Sequence, residues 1–317
     1  MRVTLIPAMF IGALTLGACA KDQSAADSTG ASATGDSATS ATPQKVGETT
    51  GLNVPESVRY DADLDSWFIT NVNGNPSMRD NNGFIVRVHA DSLSAPTTIA
   101  QGGRAGLNLN APKGMAIQGD TLFVTDIYML RKFNKRTGEY LGAVSLRDYG
   151  ATFLNDIAIG PDGIYITDTG IQFDEQGGMT HPGANRVYKV NGLRVTTVLT
   201  GDSLMNPNGI AWDATNARFI LAPFGGPNLM AWNPGTSTTT TLVAGPGGYD
   251  GVEVMANGNI LVSSWTDSTV HVVHGGSHIM PLVRGVSAPA DIGVDTKRSV
   301  LAIPRFNDAK VEYYRIP

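Results

Sequence analysis

The constraint that most limits how this chain can fold is internal repetition. Six segments share one pattern: a proline or apolar residue, a polar residue, a small or acidic residue, then an alternating apolar run. They begin at Pro55-Glu56-Ser57, Pro112-Lys113-Gly114, Leu154-Asn155-Asp156, Pro207-Asn208-Gly209, Tyr249-Asp250-Gly251 and Pro289-Ala290-Asp291. Successive second positions are 57, 42, 53, 42 and 40 residues apart. Each segment leads through a turn signal into a second strand-like run, such as Trp67-Phe68-Ile69-Thr70 or Ile260-Leu261-Val262-Ser263. Third runs follow, and fourth runs appear in five copies. Four short strands recurring at about 40 to 45 residues is the period of a propeller blade. The pattern predicts an all-β, six-bladed β-propeller over residues 44–317. The sixth copy stops after its third strand, and an unmatched strand-like piece, Gln44–Thr49, precedes the first copy. That piece is expected to supply the outer strand of the last blade, closing the ring without an exposed edge.

Upstream, Met1-Arg2 carries one positive charge and Val3 to Leu16 is an apolar run, too short to span a membrane, which needs about 20 residues. It ends in Leu16-Gly17-Ala18-Cys19, similar to the bacterial lipobox, and Cys19 is the chain's 1 cysteine. Residues 1–18 are therefore expected to be a lipoprotein signal peptide, with Cys19 lipidated, and residues 19–43, rich in Ser, Ala and Thr, a flexible tether. This implies a periplasmic lipoprotein of the bacterial cell envelope, anchored by lipid, with Ala20 pointing to the outer membrane. A single cysteine excludes internal disulfides and thiolate metal clusters. A net charge of −5 without a basic cluster argues against nucleic acid as a partner. A monomer is expected.

In a propeller the innermost strands start at one end of the central channel, so the second positions form a ring: Glu56, Lys113, Asn155, Asn208, Asp250 and Ala290. Two carboxylates and two amide oxygens make a hard-oxygen set suited to Ca²⁺ or another divalent cation, whose charge they neutralise. The same side chains would equally serve to satisfy loop backbone or line a hydrated tunnel. From the residues alone both readings stand.

The alternation Pro55-Glu56, Leu154-Asn155-Asp156, Pro207-Asn208-Gly209 and Tyr249-Asp250-Gly251 resembles the senescence marker protein, gluconolactonase and luciferin-regenerating enzyme family, six-bladed calcium propellers. The resemblance runs from about Lys45 to the C-terminus. It implies that Glu56, Asn155, Asn208 and Asp250 hold a catalytic metal. It further implies that the substrate is a lactone or related ester and that Asp250 is the general base. Two departures are visible: Ser57-Val58 stands where the family usually has Gly-Pro, and Phe153 where an arginine often precedes the third-blade asparagine. For lactone opening, Ca²⁺ would act as Lewis acid. Lys113 is a second catalytic candidate, able to stabilise developing charge; an ion pair to Glu56 or Asp250 is its expected alternative role.

Loops from second to third strands open on the ring's side. Asn71, Asn73, Arg79, His181 and Trp265 are the candidate substrate-binding residues there. Asp126 and Asp168 end second strands and are expected to bond turn amides. Trp67, Trp212 and Trp232 read as core. His271 and His274 point to opposite strand faces, which rules out a zinc pair. The chain has no Gly-x-Ser-x-Gly elbow, phosphate loop, dinucleotide fingerprint or His-Glu-x-x-His helix. The rival function is a non-catalytic propeller, similar to NHL-repeat proteins, acting as a binding scaffold in the envelope.

Overall fold

The computed structural model describes residues 42–317. The segment expected to be a signal peptide, Cys19 and most of the expected tether lie outside the described residues. Among the described residues there is no α-helix, and six four-stranded antiparallel sheets follow one another along the chain. The first blade shows the common plan. Its strands are Pro55–Asp61, Ser66–Asn71, Phe84–His89 and Thr97–Gln101, paired in that order from the axis outward. Strand Gln44–Thr49 pairs antiparallel with Lys310–Arg315, so the N-terminal piece completes blade 6 as the repeat count required.

Each strand alternates its side chains between two faces, and in the second strand of blade 1 both faces are buried. Trp67 and Ile69 pack toward blade 6, against Ala302, Val311 and Tyr313. Phe68, between them in sequence, packs the other way onto Met115, Leu122 and Phe133 of blade 2. Every neighbouring pair of blades is joined by such an apolar layer, so the core is a ring of six inter-blade seams rather than one central mass. Removing a large member such as Trp67, held between Tyr60 and Tyr313 at 5.1 and 5.3 Å, would leave a cavity costing about 3–5 kcal/mol.

Near the axis the inner strands approach closely. A Cβ at Gly209 would lie 2.3 Å from the Asp250 carbonyl, so only glycine permits that contact. The inner segment of blade 6 departs from the other five. Only Gly293–Asp295 forms a regular strand, because Asp291 turns its backbone onto blade 1 instead. Its N–H donates to Glu56 O at 2.9 Å, and its own carbonyl accepts from Val58 N at 3.1 Å.

Ring closure makes a testable demand. A chain beginning at Thr50 would expose the edge of Lys310–Arg315 and lose the Thr49–Tyr313 hydrogen bond of 3.0 Å. It should melt lower and scatter light on heating. An unchanged melting temperature would show that closure by Gln44–Thr49 is dispensable.

Candidate functional site

Four of the six ring residues are positioned by the second strand of the preceding blade. The hydroxyl of Thr70 donates to Lys113 O at 2.8 Å, Thr125 to Asn155 O at 2.5 Å, Thr167 to Asn208 O at 2.5 Å and Ser263 to Ala290 O at 2.8 Å. Each bond fixes the start of an inner strand from the neighbouring blade. Blade 4 carries Ala222 at this place, so Asp250 lacks the tie.

Glu56, Asn155, Asn208 and Asp250 are all buried at the head of the channel. The Asn155 amide donates to Thr169 Oγ1 at 3.2 Å, which leaves its oxygen uncommitted. Glu56 Oε2, Asn208 Oδ1 and Asp250 Oδ1 are buried without any hydrogen-bond partner. Burial pushes the Glu56 carboxyl well above its usual range, and the Asp250 and Asp291 charges push it further. Burial and Asp291 do the same to Asp250, opposed by the Trp265 indole N–H and the Asn208 amide beside it. These two neighbours stabilise its charge without settling into well-formed bonds, since Trp265 Nε1 also lacks a partner.

Lys113 does not make the expected ion pair with Glu56 or Asp250. Its Nζ donates to Ala111 O at 3.2 Å and sits 4.2 Å above the Phe153 ring. Burial lowers its pKa to about 8, against the upward pull of Glu56. The phenylalanine that departs from the family pattern thus carries the ring's one cation on its face.

A second tier of charges lies beneath the ring. Arg59, three residues after Glu56, reaches across the axis to Asp156 at 3.2 Å, Asp291 at 2.9 Å and Glu253 at 3.4 Å. It also donates to Met115 O and Ile292 O. Burial alone would lower its pKa, but Asp291 and Asp156 raise it overall. Equivalent positions hold Ala116, Ala158, Ala211 and Gly293, small enough to admit the guanidinium. Arg59 was not among the residues singled out by the repeat pattern; its signal is a lone arginine where four copies have alanine or glycine.

The loop candidates fare unevenly. Asn71 is not a pocket residue: it is buried, its Oδ1 accepting from Asn53 N at 3.0 Å and its amide donating to Ile69 O at 3.3 Å. Asn73 is occupied as well, its Oδ1 accepting from the Asn53 amide and its own amide donating to Asn82 O. Arg79 donates to Tyr128 OH at 3.1 Å and lines a cleft with Asn108 and Arg131. His181 Nδ1 lies 3.3 Å from the Asn206 amide. Trp265 stands beside Asp250, packed against Phe224 and Phe306. The loop of blade 3 contains a small hairpin, Gln172–Phe173 with Met179–Thr180, which is tied to the blade 1 loop through Ser77 and Asn75. Asp126 and Asp168 accept from turn amides, as expected. Another acidic cluster, Asp65, His89 and Asp91, offers three ligand atoms near one another. There the Arg298 guanidinium already bridges Asp65 and Asp91 at 2.6 and 3.1 Å, supplying the positive charge a metal would bring.

Comparison with known proteins agrees with this architecture. A search of curated proteins returned no match. Among solved structures, a protein provisionally described as a gluconolactonase is similar, with TM-score 0.66 and 15% identity over 87% of this chain and 92% of that one. The calcium-binding protein regucalcin of Agrobacterium tumefaciens gives 0.63 and 16% over 86% and 94%. A gluconolactonase of Xanthomonas campestris gives 0.63 and 14% over 88% and 98%. At these identities the likeness is one of fold. The family model described as "SMP-30/Gluconolactonase/LRE-like region" matches residues 55–290, from the first inner strand to the sixth ring position. With that span covering most of the propeller, the chain belongs to the SMP-30/gluconolactonase/LRE-like family.

Proposed function

We propose that this protein is a metal-dependent hydrolase that opens lactones or related esters, with Ca²⁺ as its metal. The observation that carries the reading is the trio of buried oxygens without partners, Glu56 Oε2, Asn208 Oδ1 and Asp250 Oδ1. One such atom costs about 1–3 kcal/mol, and three at the head of one channel call for a ligand that satisfies them together. Glu56, Asn155, Asn208 and Asp250 would hold the cation, their oxygen donors suiting calcium and the absence of His or Cys disfavouring zinc. Two carboxylates raised by burial and by neighbouring carboxylates are the electrostatic signature of a site that gains from a dication. When bound, the ion supplies Lewis-acid polarisation of the ester carbonyl.

The remaining work belongs to the chain. Asp250 takes the proton of the attacking water; burial and Asp291 raise its affinity for that proton, while the Trp265 indole and the Asn208 amide oppose them and favour its charged form. Lys113 keeps a positive charge on the ring, where negative charge grows on the reacting carbonyl. Its seat on Phe153 positions it without neutralising Glu56 or Asp250. Membership of a family that includes gluconolactonases, and structural likeness to a protein described as calcium-binding, support the same reading. Purified protein should open members of a lactone panel with Ca²⁺ and lose that activity on chelation. Inertness across the panel with calcium present would refute the proposal.

A further inference from the structure

The polar ring is surmounted by an apolar collar. In every blade the first position of the inner segment pairs with the end of the second strand: Pro55 with Asn71, Pro112 with Asp126, Leu154 with Asp168, Pro207 with Pro223, Tyr249 with Ser264 and Pro289 with Arg305. The next residue in each blade therefore stands at the channel mouth, one level above the ring. These residues are Val72, Ile127, Thr169, Phe224, Trp265 and Phe306. Five are apolar and three of those are aromatic.

They are fixed in place. Val72 N donates to Val54 O at 3.0 Å, Phe224 N to Asn206 O at 2.9 Å, Trp265 N to Gly248 O at 2.9 Å and Phe306 N to Ala288 O at 3.1 Å. They also touch around the rim: Trp265 lies 5.6 Å from Phe224 and 5.4 Å from Phe306, and Phe306 packs on the cluster of Val72 and Ile127. Thr169 interrupts the collar, but it is buried and its hydroxyl is turned to Pro207 O at 3.0 Å. Phe224, Trp265 and Phe306 are only half-buried, so part of each remains open to a ligand.

Of the blade 1 candidates for reading sugar hydroxyls, Asn71 and Asn73 are already engaged by protein groups, Asn71 with Asn53 N and Ile69 O and Asn73 with Asn53 and Asn82. A hydroxyl desolvated against an apolar wall without a partner is penalised, whereas an aromatic or alkyl group gains by burial there. Building on the hydrolase reading, we infer that the substrate is a lactone or ester bearing an aromatic or alkyl group, seated against Phe224, Trp265 and Phe306, rather than a polyhydroxylated sugar lactone.

The test compares dihydrocoumarin and an alkyl-substituted δ-lactone with glucono-δ-lactone, all with Ca²⁺, in wild type, Phe224→Ala and Phe306→Ala. Expected is a kcat/KM preference of about tenfold or more for the apolar lactones, lost in the variants mainly through KM. In parallel, calorimetry measures binding of the lactam analogue of dihydrocoumarin against a sugar lactam, a readout that needs no turnover. Preference for the sugar lactone, or an apolar preference that survives both substitutions, overturns the inference and leaves the hydrolase reading intact. Absence of turnover on every lactone refutes the hydrolase reading instead. The lactams then decide: tight binding of the aryl lactam, lost in Phe306→Ala, supports an apolar seat, and no binding overturns it. Should Phe306→Ala fail to fold, Phe306→Tyr keeps the ring, and it must retain the preference.

Discussion

Asp250→Asn should leave the propeller folded and lower lactone turnover by about 10²- to 10⁴-fold, the usual contribution of a positioned general base. The amide has the shape of the carboxylate and keeps an oxygen at the head of the channel, but it takes no proton from water. Calcium binding should weaken less than turnover does. That split separates a residue that acts as both ligand and base from one that only holds metal. A metal that binds the folded protein alone, present at about a hundred times its Kd, adds about 2.7 kcal/mol of stability, so the shift in melting temperature with calcium reads occupancy without reference to activity. Asn208→Ala, which removes one of the unpartnered oxygens, should shrink that shift while leaving the protein folded. Near wild-type turnover in Asp250→Asn would remove Asp250 as base. A calcium shift unaltered in both variants would remove the ring as the metal site.

The period of the repeats made the six blades, the closing strand and the ring of second positions readable, because each follows from counting along strands whose faces alternate. Counting fails where the backbone leaves that alternation. Register shifts between Pro55 and Val58, and at the same place in four other blades, bring the fifth residue of the segment back toward the axis. Arg59 and Glu253 therefore meet in the channel rather than on a solvated face. Asn71 misled for a related reason: it looks like the first residue of a polar loop, but it is the last of its strand and is buried, bound to Asn53 N. Lys113 was read by charge, which favoured Glu56 or Asp250. The alternatives that hold it, a carbonyl two residues away and an aromatic face from the next blade, have no periodicity to betray them. The collar residues directly follow the second strands in the chain, yet only the cross-strand register puts them at one level.

Arg59→Met should cost the most stability of any substitution near the axis. The guanidinium is nearly buried and faces Asp156, Asp291 and Glu253, with Ser57 bonding Asp291 from the side at 2.6 Å. Removing one partner from a buried ionic group costs about 3–5 kcal/mol, because the charges left behind remain desolvated. At about 2–4 °C per kcal/mol for a domain of this size, the melting temperature should fall on the order of ten degrees. The deficit should depend on pH, in a sense fixed by Glu253. Burial raises its pKa from 4.5 to about 7, with Arg59 holding it down and Asp291 pushing it up. A carboxyl whose folded pKa lies above its unfolded value binds its proton more tightly in the folded state, so its contribution to stability falls as pH rises from about 4.5 to about 7. Without Arg59 the folded pKa climbs further and the loss extends to higher pH. The variant should therefore lie closer to wild type at about pH 5.5 than at about pH 8, the acid form needing no counter-charge. Arg59→Lys, which restores the charge but not the planar fork that reaches several blades at once, should recover part of the loss. An equal deficit at both pH values would mean that Arg59 fills the channel by bulk alone. A negligible deficit would mean that the buried carboxylates are already protonated and the second tier has no ionic hub.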